Sequence, residues 1–155
     1  MKPGQLAQAI ENCRTHLDRA AARGSEVEKY LTAYLVVLAC STFEEALKTA
    51  MAARADKSGD PVLASLVSSA IGIVLRSIKT SELAGVLNRF SEDHKRSFQQ
   101  KMAARPQAES AYNSLIAQRH GVAHTSSFTL SFDELVGYVE MGHTVLDDFI
   151  EVVNS

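Results

Sequence analysis

The sequence predicts an all-α fold, and three observations carry that prediction. Only 3 Pro and 8 Gly punctuate 155 residues. Apolar side chains recur at steps of three and four, the period of a helix with one buried face. No stretch of five or more residues alternates between apolar and polar with a β-branched bias. The expected architecture is an up-and-down bundle of about five helices, one domain over residues 1–155.

Each element has a local reason. Leu6, Ile10, Cys13, Leu17 and Ala20 form one apolar stripe, and Gly24 ends that helix. Ser25 opens the next, with Glu28 at capping-box spacing. The second helix is expected over residues 25–55. Its run from 34 to 40 is apolar on nearly every face, the mark of a central, buried helix. Residues 56–61 form a loop in which Asp60 caps and Pro61 takes the first helical position. A third helix carries Val62, Leu66, Ile73, Val74 and Ile78, and its Ser68, Ser69, Ala70 and Gly72 permit close approach. Thr80 or Ser81 caps a short fourth helix with Leu83, Val86, Leu87 and Phe90. Residues 91–105 are polar, with Phe98 and Met102 as anchors. Pro106 restarts a helix through Tyr112, Leu115 and Ile116 to about residue 119. Residues 125–127 (Thr-Ser-Ser) read as a turn. Ser131 and Glu134 repeat the capping-box spacing before a last helix with Leu135, Val139, Val145, Leu146, Phe149 and Val153.

Composition narrows the function. Hydrophobic residues make up 46% and charged residues 22%, a balance that excludes a disordered chain. No apolar run approaches the roughly 20 residues of a membrane span, so no membrane partner is expected. The absence of a basic-then-apolar leader and the presence of only two cysteines, Cys13 and Cys40, point to the cytoplasm. A net charge of −2 gives no overall field for nucleic acid, so such a function would rest on a local site. Charge is sorted, however. Residues 76–125 hold eight Lys/Arg against four Asp/Glu, with His94, His120 and His124, whereas residues 131–155 hold six Asp/Glu and no Lys or Arg. Two readings stand: solvated faces whose charges pair across neighbouring helices, or an anion site built from Arg76, Lys79, Arg89, Arg96 or Lys101 with Arg119 at its focus.

The most chemically loaded segment is residues 118–124, Gln-Arg-His-Gly-Val-Ala-His. One arginine and two histidines fall within six positions. Metal-free RNA cleavage needs these residue types. One imidazole takes the proton of the ribose 2′-hydroxyl and another protonates the leaving 5′-oxygen. A guanidinium stabilises the charge that grows on the phosphorane. Histidine, with an ordinary pKa near 6.5, is accessible in both forms at neutral pH. On an unbroken helix Arg119 and His124 would point about 140° apart. Gly121 is expected to end the helix and bring them together. A two-fold dimer would place two copies of the pair in one cleft.

Residues 119–124 fit the Arg-x4-His motif of the HEPN superfamily (higher eukaryote and prokaryote nucleotide-binding domains). The run from Val36 to Glu44 resembles the long helix of the RiboL-PSP-type HEPN subgroup. Residues 78–90 and the capped last helix are similar to its later segments, so the likeness covers most of the chain from about residue 31. The resemblance implies a helical bundle that dimerises and sets two motifs across a shared cleft. It implies a metal-independent RNA endonuclease acting as a toxin beside an antitoxin, or as an effector in anti-phage defence. Arg119 and His124 would be the catalytic pair, and no cofactor or metal is called for. His120 departs from the pattern, since Asn is commoner after the arginine.

Structural readings stand beside these. His124 would serve as a helix-end or core histidine, and Arg119 as a surface ion-pair residue. Glu44, within the most apolar helix, would support Arg119 or His124, or lie on a solvent face with Glu45. Cys13 and Cys40 sit on apolar stripes and read as buried thiols without the spacing of a zinc site. His16, His94 and His143 are isolated and read as surface or structural residues. The competing functional class is a non-catalytic helical module that binds RNA, a nucleotide or a partner protein.

Overall fold

The structure, a computed structural model, describes residues 3–76, 78–122 and 129–155. Among these residues the chain forms seven helices and no strand. They are α1 (Pro3–Arg19), α2 (Glu26–Asp56), α3 (Pro61–Val74), α4 (Thr80–Leu87), α5 (Glu92–Ala104), α6 (Pro106–Val122) and α7 (Phe132–Asn154). The expected number was about five. Short α4 and polar α5 each stand as helices of their own, which raises it. The turn expected at residues 125–127 lies outside the described residues.

Caps fix most of the helix starts. Asp60 accepts from the N–H groups of Val62 and Leu63 at 2.9 and 3.1 Å, ahead of Pro61. Ser91 does the same for α5 through His94 N–H. Ser131 and Glu134 form the full capping box. The start of α4 differs from expectation. Lys79 is the N-cap residue, and its N–H donates to the Glu82 carboxylate at 2.8 Å. Thr80 is buried, with its N–H on Asn113 Oδ1 and its hydroxyl on Glu109, so it ties α4 to α6.

Glu28 also departs from the local rule. Ser25 caps α2 through Val27 N–H at 3.2 Å. The Glu28 carboxylate accepts from Gly24 N–H and, across 104 residues, from Phe132 N–H at 3.1 Å. One side chain thus joins the corner between α1 and α2 to the start of α7. Arg23 completes that corner. Its guanidinium lies 4.8 Å from the Phe132 ring centre and pairs with Asp18 and Asp133.

Helix α2 is the axis, and it packs against α1, α3, α6 and α7. Among the described residues it alone is long and apolar enough to cross a membrane by length and composition. This departs from the expectation of no such segment, because the few charges scattered along α2 interrupt its apolar run without making the helix polar on average. Leu35, Val36, Ala39, Cys40, Phe43 and Leu47 are buried. Val27, Tyr30, Tyr34 and Val37 remain exposed on the other side, so the run from 34 to 40 is only half enclosed. Helix α3 is less buried than its composition suggests. Only Ile71 is buried, the helix ends at Val74, and Val62, Leu66 and Ile73 face outward. Phe98 and Met102 are buried, as their spacing predicts, and Phe98 meets Phe149 edge-on.

Helices α7 and α2 approach closely at Gly142. A Cβ added to Gly142 would stand 2.6 Å from Phe43 Cε2. Gly142→Ala must therefore displace that ring. Overpacking of this kind costs about 1–3 kcal/mol. The expected result is a lower melting temperature, recovered in part by Phe43→Leu in the double variant. Full additivity of the two substitutions would sink the contact argument.

Glu28 gives a pH prediction. The two N–H donors, Gly24 first, hold its carboxyl below the ordinary value. A depressed carboxylate contributes stability above its unfolded pKa of about 4.3, and loses it as pH falls through the folded value. Thermal melts from pH 7 to pH 3 should show Glu28→Gln less stable at pH 7 and less sensitive to acid than the parent. Parallel curves would remove Glu28 from this role.

Candidate functional site

The site grows out of the seam between α2 and α6. Along α6, Tyr112, Leu115 and Arg119 fall at steps of three and four and so share one face. Along α2, Phe43 and Glu44 lie three and four positions after Cys40 and so flank its face. Tyr112 and Phe43 stack with parallel rings, 6.0 Å between centres and 5° between planes. The Tyr112 hydroxyl donates to Ile78 O at 3.1 Å, which anchors α6 to the segment before α4. One turn further, the Cys40 thiol donates to Leu115 O at 3.6 Å. The seam ends in an ion pair between Arg119 Nη1 and Glu44 Oε1.

Burial changes along that line. Tyr112, Leu115 and Cys40 are fully buried. The Glu44 side chain is 12% exposed and the Arg119 side chain 32%. The guanidinium therefore stands where the seam opens to solvent, and the carboxylate lies behind it. A guanidinium carries five N–H donors in a fixed fork whose geometry matches carboxylate and phosphate oxygens.

The structure joins the expected site residues in part. Arg119 and Glu44 meet, as one of the sequence readings held. His120 follows Arg119 on α6 and is exposed. The helix continues through Gly121 to Val122, so Gly121 does not end it. His124 lies outside the described residues.

Three of the basic residues expected around Arg119, namely Arg76, Arg96 and Lys101, have partners elsewhere. Arg96 pairs with Glu92 and Asp93 on its own helix. Lys101 pairs with Asp148 and Glu151 of α7, and Arg105 grips buried Asp148. Arg76 donates to Gly72 O at the end of α3. The reading in which segregated charges pair across helices therefore holds for α5 and α7. Asp148 carried no signal of its own in the sequence. Only the lack of cations on α7 beside their excess on α5 hinted at the partner.

Burial pushes the Cys40 thiol up to about 12, well above the ordinary value, and the Glu44 charge adds to this while Arg119 opposes it. Cys13 is raised by burial as well. Both thiols are free and buried. His143 is exposed, with its ring edge-on to Phe43 at 5.1 Å, and His94 bonds to Ser91 while stacking on Phe90. These are structural roles, as expected.

A family model described as RiboL-PSP-HEPN matches residues 5–155. Comparison with curated proteins and with solved structures gave no match.

The buried thiols yield a test. A thiol with a pKa near 12 holds almost no thiolate at pH 8, and thiolate is the reactive species. Cys40 should therefore resist the chromogenic disulfide reagent DTNB in the native protein and react at once in guanidinium. Fast stoichiometric labelling of Cys40 in the native state would show that the seam opens more readily than its packing implies.

Proposed function

The chain belongs to the RiboL-PSP-HEPN family, and from that premise we propose that it is a metal-independent RNA endonuclease acting through Arg119 and His124. The observation that supports this most is the guanidinium of Arg119. It is one-third exposed at the open end of a buried seam, braced by Glu44, five positions before His124.

The reaction needs few groups. In one copy His124 takes the proton from a ribose 2′-hydroxyl. The 2′-oxygen then forms a bond to the adjacent phosphorus, and the bond from phosphorus to the 5′-oxygen breaks. The second His124, from a partner copy in a two-fold dimer, gives a proton to that 5′-oxygen. The products are a 2′,3′-cyclic phosphate and a 5′-hydroxyl. Arg119 binds the non-bridging oxygens and gains most when the phosphorane carries its extra charge. His120, exposed beside Arg119, assists proton transfer or phosphate binding, and Glu44 supports Arg119 from behind. The cellular role is that of a toxin restrained by an antitoxin, or of an anti-phage effector.

One observation favours a second reading. Arg96, Lys101 and Arg105 are already paired with carboxylates, so among the described residues these three are not left for a long RNA. That suits a non-catalytic module that binds a short RNA, a nucleotide or a partner protein.

Cleavage of a labelled single-stranded RNA in excess EDTA separates the two. The wild type should cut and leave cyclic phosphate ends. Arg119→Ala and His124→Ala should each lose about 100-fold or more. Retained RNA binding with no cutting, in a folded dimer and across several RNAs, would favour the binding module. Cutting that needs a divalent metal or survives His124→Ala would overturn the mechanism.

A further inference from the structure

We propose that the exposed stripe of α2 pairs with the same stripe of a second copy, antiparallel about a two-fold axis near Val37, and that each copy thereby brings its Tyr30 to the Arg119–Glu44 pair of the other. This gives the two-fold dimer of the cleavage reading its surface, and it holds equally for a binding module.

Val27, Tyr30, Tyr34 and Val37 follow one another at steps of three and four, so they form a single line on α2. The line stays in solvent although α2 packs against four other helices. Tyr30 is 72% exposed and Tyr34 54%. A solvated helix face is ordinarily polar. Two tyrosines between two valines have instead the makeup of an interface core, where tyrosine is enriched and charge is depleted. The line runs on through Ser41 to Glu44, the residue that braces Arg119.

Charge along the same face selects the occupant. Tyr30 and Glu44 lie seven positions to either side of Val37, and Glu26 and Lys48 lie eleven. Seven and eleven residues are close to whole numbers of helical turns, so all four share the Val37 side of α2. An antiparallel copy centred on Val37 therefore sets Glu26 against the partner's Lys48, and Lys48 against the partner's Glu26. Opposite charges meet at both ends of a seam about 33 Å long, at 1.5 Å per residue. A parallel copy would instead set Glu26 against the partner's Glu26 and Lys48 against the partner's Lys48. Within each copy Glu26 pairs with Lys29 and Lys48 with Glu45, so each end of the seam becomes a small network rather than an isolated contact. The same symmetry puts the partner's Tyr30 level with Glu44. A tyrosine suits that place, since its hydroxyl donates to a carboxylate and its ring lies well against a guanidinium.

Sedimentation velocity of the full chain without RNA tests the pairing. Wild-type protein should be a dimer at micromolar concentration. Val37→Glu places two carboxylates on the axis and should give a folded monomer. Glu26→Lys and Lys48→Glu each bring like charges together and should weaken the dimer about tenfold or more. Mixing those two variants should restore it, because in the mixed dimer both end contacts again join opposite charges. Damage confined to one chain would persist in the mixture, so this recovery is specific to the contact between copies. A wild type that stays monomeric, a dimer indifferent to Val37→Glu, or a mixture no tighter than its components would overturn the pairing. A monomer whose Tyr34 ring signals move when single-stranded RNA is added would give the stripe to nucleic acid instead. For Tyr30, the Nε–H resonance of Arg119 in the wild-type dimer should shift in Tyr30→Leu under conditions where that variant still dimerises. An unmoved resonance there would take Tyr30 out of the site. The sedimentation readouts are free of RNA, so absent cleavage counts against the nuclease reading and leaves the pairing to be decided on its own.

Discussion

Gly142 is the constraint on which the placement of the other parts depends. Without a side chain there, α7 comes close enough to α2 for the Phe43 ring to fill the space where a Cβ would stand. The ring is then held from one side by the α7 backbone and from the other by Tyr112, with the two aromatic planes parallel. Tyr112 in turn hangs from Ile78 O, so the rotation of α6 about its axis is fixed at two points. With that rotation set, the residue seven positions on is Arg119, on the same face of the helix. It must then meet the residue one position beyond Phe43, which is Glu44. A contact between a glycine and an aromatic ring thus sets where a guanidinium points.

Charge follows the same economy of position. The α5 cations and the α7 carboxylates lie on helices that pack together. Asp148 is buried, and a buried carboxylate is tolerable only when paired and hydrogen-bonded. Arg105 and Lys101 supply that pairing. Cations that neutralise a core carboxylate are not available for a nucleic-acid backbone. These cations are thus engaged within the fold, which agrees with a net charge of −2.

The sequence shows its helices wherever a periodic apolar stripe and a cap agree. Asp60 with Pro61, Ser131 with Glu134, and the anchors Phe98 and Met102 are of this kind. It is less informative where a residue's partner is distant in the chain. Thr80 has the chemistry of a local cap, yet its hydroxyl is drawn to Glu109 and its N–H to Asn113. Glu28 has capping-box spacing, and one of its two partners is Phe132. Gly121 looks like a helix end, and α6 runs past it. For α3, apolar composition suggests burial, but a single neighbouring helix covers only the Ile71 side. At the site, Arg119 and Glu44 were both legible as unusual, Arg119 from its histidine neighbours and Glu44 from its apolar helix. Their meeting across 75 residues was one open reading among several, because no local rule fixes the angle between two helices.

The position of the pair along the seam explains why it can be both stable and useful. A guanidinium and carboxylate buried as deeply as Tyr112 would lose hydration that their mutual attraction seldom repays. The same pair on an open surface would be screened and would orient nothing. Glu44 lies on the buried side of this boundary and Arg119 on the solvent side. The carboxylate is therefore held by packing, and the cation is held by the carboxylate with about a third of its side chain exposed. A site that acts on phosphate needs a cation fixed before the substrate arrives, since preorganisation is where electrostatic stabilisation comes from. Here the pair stands just beyond a fully packed core, so the fold that sets the seam also sets the direction of the charge.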